Sequence, residues 1–359
     1  MKLLIISLSA GAGHVRAAEA IKKTAEQSFP SIEVKHIDMA DYISLTMKKT
    51  VITSYAMMVK TVPELYGYLY NKANTNKSAN RLNKLTKQLK RINSVRLYSF
   101  IDDYKPDIIL CTHFLATDVI LGASQKRKID SPVNTLITDY DLHNLWVVPN
   151  TNHYFVATKK IEWKMMRQDV QKNKITISGI PIDPIFYKEK SIDKLREDYK
   201  IKPNKKVVLV MSGGQGMGKA GKIVKMLTTS SQPLSIIAIA GKNKHLEKRL
   251  KKIKVPSHID LYSIGWTDKV DDYMRLADII ITKSGGVTTT ECITLGKPMI
   301  IIDPIPGQEE QNADYILSNN LGFIARNTDD LLYYVEQDSY QTTKITPKNS
   351  AKIILENLE

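Results

Sequence analysis

Four stretches of the 359-residue chain place glycines, hydroxyls and titratable side chains directly after apolar runs. That is where open α/β sheets gather their ligands. The first is Ser9-Ala-Gly-Ala-Gly-His14. Its glycines let the backbone approach a ligand, and the helix expected next presents unpaired N–H groups to it. His14 titrates near neutral pH, so at the end of the first strand it is the candidate general base, with Gly13 beside it on the acceptor side. A histidine that only caps or packs the helix start is the alternative. The loop lacks the third glycine and the placed acid of a dinucleotide fingerprint, which argues against NAD.

The second stretch, Ser212 to Lys219, satisfies the GxxxxGK part of a phosphate loop, but Ala220 stands where a magnesium-binding hydroxyl is needed. A P-loop hydrolase or kinase is therefore disfavoured, while Gly213, Gly214, Gln215 and Gly216 still suit a phosphate. The third, Ile281 to Glu291, ends a strand at Ser284, Gly285, Gly286, Val287 and Thr288 and opens a helix aimed at the same loop. Glu291 lies one to two turns into that helix, where a carboxylate can accept from both ribose hydroxyls. Gln308, Glu309 and Asn312 follow the next strand with hydrogen-bonding groups suited to a sugar. Each piece has a plain reading, as turn glycines, a solvated helix acid or a polar loop; their order points to a nucleotide-sugar. The fourth stretch, Thr138 to Trp146, brings Asp139, His143 and Trp146 to the edge of the first sheet as acceptor-site scaffolding. One histidine and two aspartates are too few for a metal site.

The elements that must position these loops alternate. KLLIISLS, a helix from about Val15 to Ser28, IEVKHID, DIILCTH, NTLITD and HYFVAT are followed, beyond Gly179-Ile-Pro-Ile-Asp-Pro184, by VVLVMSGG, SIIAIAG, IDLYSIG, DIIITKSG and PMIIID. This is the βα rhythm of parallel sheets covered on both faces. The expected fold class is α/β, with two Rossmann-like domains facing across a cleft. Residues 1–180 would form the first domain and 181–336 the second, with a C-terminal helix at about 337–359 packing back on the first.

Hydrophobic residues make up 43% and charged residues 25%, the balance of a globular chain. The net charge of +15 is uneven: Ile43 to Phe100 holds eleven Lys/Arg against one acid, Glu64. Within it Ile43, Met47, Val51, Tyr55, Met58 and Val62 share one helical face, with Lys48, Lys49 and Lys60 off it. Tyr66, Tyr68 and Tyr70 and a basic run carrying Lys84, Lys87, Lys90 and Arg91 follow. A core-facing helix is the ordinary explanation of such a stripe. The charge alone suits nucleic acid or anionic lipid headgroups; aromatics beside cations favour an interfacial anchor on an anionic membrane surface, and no nucleic-acid partner is expected. Cys111 and Cys292 suit buried thiols in a reducing cytoplasm, and no signal peptide or run of membrane-spanning length is expected.

GAGHVRAAEAI, TDYDLHNLWVVPNTNHYFVAT, SGIPIDPIF, SGGQGMG and GWTDKVDDYMRLADIIITKSGGVTTTECITLGKPMIIIDPIPGQEEQNADYI occur in that order. In these stretches the chain resembles the processive diacylglycerol glucosyltransferases and monogalactosyldiacylglycerol synthases, relatives of the peptidoglycan lipid-linked N-acetylglucosaminyltransferase. The resemblance implies a B-type glycosyltransferase fold, with the donor held by the second domain and the lipid by the first. It also implies inversion without a catalytic metal or cofactor, the partners being a UDP-sugar, diacylglycerol and the cytoplasmic membrane face. It makes His14 the base, Gly213 and Gly214 the first phosphate loop and Ser284 to Thr288 the second. The backbone around Trp266 becomes the uracil turn, Glu291 the ribose carboxylate, and Gln308 and Glu309 the sugar binders. Where relatives often carry an arginine after GIPI, Asp183 stands here, which leaves the diphosphate to backbone groups or to Lys283 or Lys219. Transfer of N-acetylglucosamine to a polyprenyl carrier, epimerisation of a UDP-sugar and a non-catalytic sensor are the alternatives.

Overall fold

The computed structural model describes residues 1–9, 11–43, 95–123, 129–211 and 219–359. The proposed interfacial residues Met47, Lys48, Lys49, Tyr55, Met58, Tyr66, Tyr68, Tyr70, Lys84, Lys87, Lys90 and Arg91 lie outside them, as do Gly213, Gly214, Gln215 and Gly216. The chain forms two compact units. Unit 1 comprises Met1–Pro184, Ile305–Asn312 and Lys348–Glu359; unit 2 comprises Ile185–Pro304 and Ala313–Pro347.

Unit 1 is built on β1 (Lys2–Ser7), β2 (Glu33–Asp38), β3 (Ile108–Cys111), β4 (Val133–Leu136), β5 (His153–Val156) and β6 (Ile175–Ile177). They run in the order β2-β1-β3-β4-β5-β6, every pair parallel. Leu3, Leu4, Ile5 and Ile6 of β1 are fully buried, as expected of a strand covered on both faces. The chain leaves β1 first to one side and then, at β3, to the other, so the loops after β1 and β3 meet at a topological switch point. The helix Ala12–Ser28 covers the sheet with Ala17, Ala18, Ile21, Thr24 and Ala25, a stripe at helical spacing. It starts three residues before the expected Val15, because Gly11 takes the extended N-cap position (φ −152°). Gly13 and His14 thereby enter its first turn. Ile43, the first residue of the expected interfacial stripe, is buried in the core of this unit with Leu97, Ile101 and Met39. Cys111 and Cys292 are both free and buried, and burial pushes the Cys111 thiol up to about 12.

Unit 2 carries β7 (Lys206–Met211), β8 (Leu234–Ile239), β9 (Ile259–Ile264), β10 (Ile279–Thr282), β11 (Met299–Ile302) and β12 (Gly322–Ala325). Their order is β12-β11-β10-β7-β8-β9, again all parallel, which puts the switch point between β7 and β10. The helices Ala220–Leu227 and Thr328–Val335 close one face over Val208, Val210, Ile281 and Ile300. The entry into the unit is pinned by Arg275, whose Nη2 donates to the carbonyls of Ile185 (3.1 Å), Phe186 (3.1 Å) and Lys188 (2.6 Å). Lys190 pairs with Asp271 (2.5 Å) and Asp272 (2.6 Å) on the same helix, Val270–Leu276.

The chain returns to unit 1 at Lys348 rather than near residue 337. Residues 336–347 stay on unit 2 because Lys206 Nζ donates to the carbonyls of Val335 and Gln337, and the Thr343 amide donates to Asn320 O at 2.8 Å. The last helix, Ser350–Glu356, then buries Ala351, Ile354 and Leu355 within unit 1. Thr176 donates to Asn357 Oδ1 (3.3 Å) and Ser31 to Glu359 (2.9 Å). Gly179, at φ +82°, passes so close beneath this helix that a Cβ would lie 2.5 Å from Ser350 Oγ.

Candidate active site

In unit 1 the switch-point loops converge on His14. Its Nδ1 lies 2.8 Å from the carbonyl oxygen of Thr112 and 2.9 Å from Thr138 Oγ1. A carbonyl only accepts, so Nδ1 carries the hydrogen and Nε2 keeps the lone pair a general base requires. Thr112 Oγ1 in turn donates to the His14 carbonyl at 3.0 Å, closing a two-point clamp between β3 and the helix start. Burial holds the imidazole below its ordinary 6.5, against the opposing pull of the Asp139 charge and the Thr112 carbonyl. The first turn of a helix, where the dipole is positive, also disfavours an imidazolium. His14 is therefore neutral at pH 7 and competent to take a proton.

An aromatic wall stands beside it. His113 meets His14 edge-on at 4.5 Å between centroids, and Trp146 lies 6.1 Å from His14 and 5.6 Å from Phe114. His113 Nδ1 accepts from the Leu115 amide at 3.1 Å, and burial, then the neighbouring His14, hold it well below 6.5. His143 Nδ1 caps the turn Asn144–Trp146 by accepting from the Leu145 amide at 3.2 Å. His143 and Trp146 are both buried, so they shape the wall and leave the chemistry to His14.

Asp139, also buried, gathers residues expected on the donor side. Its Oδ1 accepts from Gln308 Nε2 at 2.7 Å and from Asn312 Nδ2 at 3.4 Å. Asn312 Oδ1 accepts from the Tyr140 amide at 2.8 Å, which ties segment 305–312 to the loop after β4. Asn312 is thus a brace of unit 1 in this structure. Glu309 Oε2 accepts from the Ile305 amide at 2.7 Å and Glu310 Oε2 from the Gly307 amide at 2.8 Å, so both carboxylates hold the turn that opens the helix Gln308–Ser318. Asp141, two residues beyond Asp139, is paired with Lys164 (2.5 Å) and Lys160 (3.2 Å), and its carboxyl titrates below its usual range despite burial.

In unit 2 the loop after β10 leads through Ser284, fully buried, into the helix Gly286–Leu295. The first helical bond runs from the Thr289 amide to Gly285 O, so the amides of Gly286, Val287 and Thr288 have no acceptor within the helix. Gly285 has no side-chain cap, and a Cβ there would meet nothing within 4 Å. Three amides without a partner in the helix and a positive dipole end suit an anionic group. Glu291, sixth in this helix, is only 1% exposed, which sets aside the reading of a solvated helix acid. Trp266, in the turn after β9, presents its ring to solvent at 64% exposure. Lys219 pairs with Asp303 at 2.9 Å beside a pocket of about 150 Å³ that Lys222 and Arg326 also line. Asp183, which follows the GIPI stretch, is held by Lys23 of the first helix at 2.5 Å. Thr112, His113 and Thr138 were missed in the sequence. The signal was available, since Thr112-His113 follows β3 as Ser9 to His14 follows β1 on either side of the switch point.

Two units of this topology, each with loops gathered at a switch point, define a B-type glycosyltransferase fold. Solved structures share it: MurG of Acinetobacter baumannii, at 14% identity and a TM-score of 0.57, covers 99% of this chain and 98% of its own. UDP-GlcNAc 2-epimerase of Neisseria meningitidis, bound to UDP-GlcNAc, has 16% identity and a TM-score of 0.61 over 100% of this chain and 99% of its own.

Residues 14–182 match the family described as monogalactosyldiacylglycerol (MGDG) synthase, and residues 207–346 match the glycosyltransferase family 28 C-terminal domain. Both are families of glycosyltransferases, and the chain is similar to each over those residues. It is similar to the processive diacylglycerol beta-glucosyltransferase of Bacillus subtilis (strain 168), with 27% identity over 99% of this chain and 94% of that protein. The protein of the same description from Staphylococcus aureus (strain MRSA252) is 28% identical over 93% of this chain and 83% of its own length.

Proposed function

We propose that the protein transfers a hexose from a UDP-sugar to diacylglycerol at the cytoplasmic face of the membrane, with inversion and without a catalytic metal. The observation that carries this reading is the state of His14, with Nδ1–H fixed on the Thr112 carbonyl and a lone pair on Nε2. His14 Nε2 takes the hydrogen of the acceptor hydroxyl as its oxygen bonds to the anomeric carbon. The bond from that carbon to the diphosphate breaks, and its electron pair leaves with UDP. The amides of Gly286, Val287 and Thr288 stabilise the departing charge in the role a cation would otherwise fill. Glu291 takes the ribose hydroxyls, and Gln308 and Glu309 the sugar hydroxyls. Glucose is the hexose in the names of the curated relatives and galactose in that of the matched family. The basic, tyrosine-rich segment supports docking on an anionic surface, and no helix of the described residues is long and apolar enough to cross a membrane.

The test is glycolipid formation by the purified chain from diacylglycerol in anionic vesicles, with UDP-glucose or UDP-galactose, under chelator. His14→Gln should lower turnover by about 10²- to 10⁴-fold while UDP still binds. Loss of UDP binding together with turnover would make His14 structural. No glycolipid from either donor, with UDP bound, would overturn the acceptor assignment.

A further inference from the structure

Two aspartates stand two residues apart in the loop after β4, and the structure treats them differently. The charge of Asp141 is cancelled by Lys160 and Lys164. Asp139, 5% exposed, makes no ion pair among the described residues; its contacts are two neutral amides, Gln308 Nε2 at 2.7 Å and Asn312 Nδ2 at 3.4 Å, both on Oδ1. Asn312 is itself locked by the Tyr140 amide, so the carboxylate cannot swing away. The residue before it, Thr138, touches the His14 ring at Nδ1. A buried carboxylate that is fixed but left with its charge is costly unless that charge serves a neighbour.

We propose that Asp139 is the positioning residue for His14: its amide-anchored carboxylate stabilises the imidazolium formed when His14 takes the proton of the acceptor hydroxyl. The proton stays on His14 Nε2, and Asp139 acts through its field alone. Thr138 and the Thr112 carbonyl hold the ring, while Gln308 and Asn312 hold the charge. Of the titratable groups around the ring, His113 from the loop after β3 meets it edge-on, Asp139 from the loop after β4 acts on it through its charge, and Arg16 lies further along its own helix. His113 is held neutral, which leaves Asp139 as the source of negative potential there. In agreement, the Asp139 charge is the larger of the two influences that raise the His14 pKa against burial. Gln308 keeps its carbonyl and a second N–H for other partners, so one side chain can serve both this carboxylate and a sugar hydroxyl.

This inference rests on His14 being the base, and its test separates the two. Asp139→Asn removes the charge and retains an oxygen to accept from Gln308 and Asn312. The full chain, labelled at its histidine rings, is titrated by NMR without donor or acceptor, the His14 signal being assigned by its absence in His14→Gln. The His14 midpoint should move to lower pH in Asp139→Asn and stay near the parent in Asp139→Glu. In turnover, kcat should fall by about tenfold or more, KM for the UDP-sugar should hold within about twofold, and the acidic limb should follow the NMR midpoint. Asp139→Ser also removes the charge and serves if Asp139→Asn does not fold. An unmoved His14 midpoint in a folded charge-removal variant overturns the inference, whatever happens to activity. A midpoint that moves in a chain making no glycolipid keeps the inference and sinks the proposed function instead.

Discussion

Gly179→Ala should loosen the docking of the last helix on unit 1, and the size of the effect can be worked out. Gly179 sits at φ +82°, where an L side chain costs about 1–2 kcal/mol. The new Cβ would stand 2.5 Å from Ser350 Oγ and 3.5 Å from Ser350 Cβ, and Ser350 is buried at the start of the helix Ser350–Glu356. Only the hydroxyl is in the way, and forcing it aside in a packed site costs about 1–3 kcal/mol. The single variant should therefore lose about 2–5 kcal/mol from unit 1. Gly179→Ala in a Ser350→Ala background should lose only the backbone part, about 1–2 kcal/mol. Urea unfolding followed by tryptophan fluorescence reads this out, because Trp146 and Trp163 lie in unit 1 and Trp266→Phe silences the signal from unit 2. A cost that is the same in both backgrounds would show that Ser350 is not the obstacle. No cost in either would show that the loop at residue 179 does not need its glycine conformation.

Two further outcomes follow from the site. Gly285→Ala should leave stability unchanged, since φ −67° and ψ 137° suit any residue and the Cβ meets nothing within 4 Å. It should weaken UDP binding by about tenfold if an anion occupies the open space before the Gly286 amide, and unaltered calorimetric affinity would remove the anion from that helix end. Stability should also fall with acid, because the folded values of His14 and His113 lie below 6.5. The unfolded chain takes up protons that the folded chain refuses, so this contribution is complete above 6.5 and is lost as pH drops through the folded values. The slope is at most about 1.4 kcal/mol per pH unit for each ring. His113→Phe should flatten the decline of the unfolding midpoint between pH 7 and 5, and an identical decline would locate the acid sensitivity elsewhere.

Much of the α/β order was legible because strands covered on both faces read as short apolar runs, as in Leu3 to Ile6 and Val207 to Val210. The edge strands β6 and β12 were not singled out. They are three and four residues long, and ITI and GFIA carry too little pattern to separate from a loop. Gly13 and His14 could be placed after β1, but their position in a helical turn depended on Gly11 adopting the N-cap. The clamp on His14 spans 98 residues to Thr112 and 124 to Thr138, and the Asp139–Gln308 bond spans 169. No local periodicity reports such pairs. The assignment of residues 305–312 to unit 1 was not legible, because it rests on Asn312 meeting Tyr140.

The order in which a ribosome delivers this chain gives the threefold make-up of unit 1 a further meaning. Nascent domains usually fold as units, N-terminal first. Here the brace on Asp139 is made only after most of unit 2, and Ser350–Glu356 and Asn357 only after all of it. Unit 2 has its last segment, Ala313–Pro347, before unit 1 has Lys348–Glu359, so the later-numbered domain can finish folding before the earlier one. Until those segments are made, the groups meant to hold Asp139 and to cover Gly179 are missing from unit 1, and a product truncated before residue 305 would be left without them. Completion of the base-bearing unit thereby waits on synthesis of the other unit.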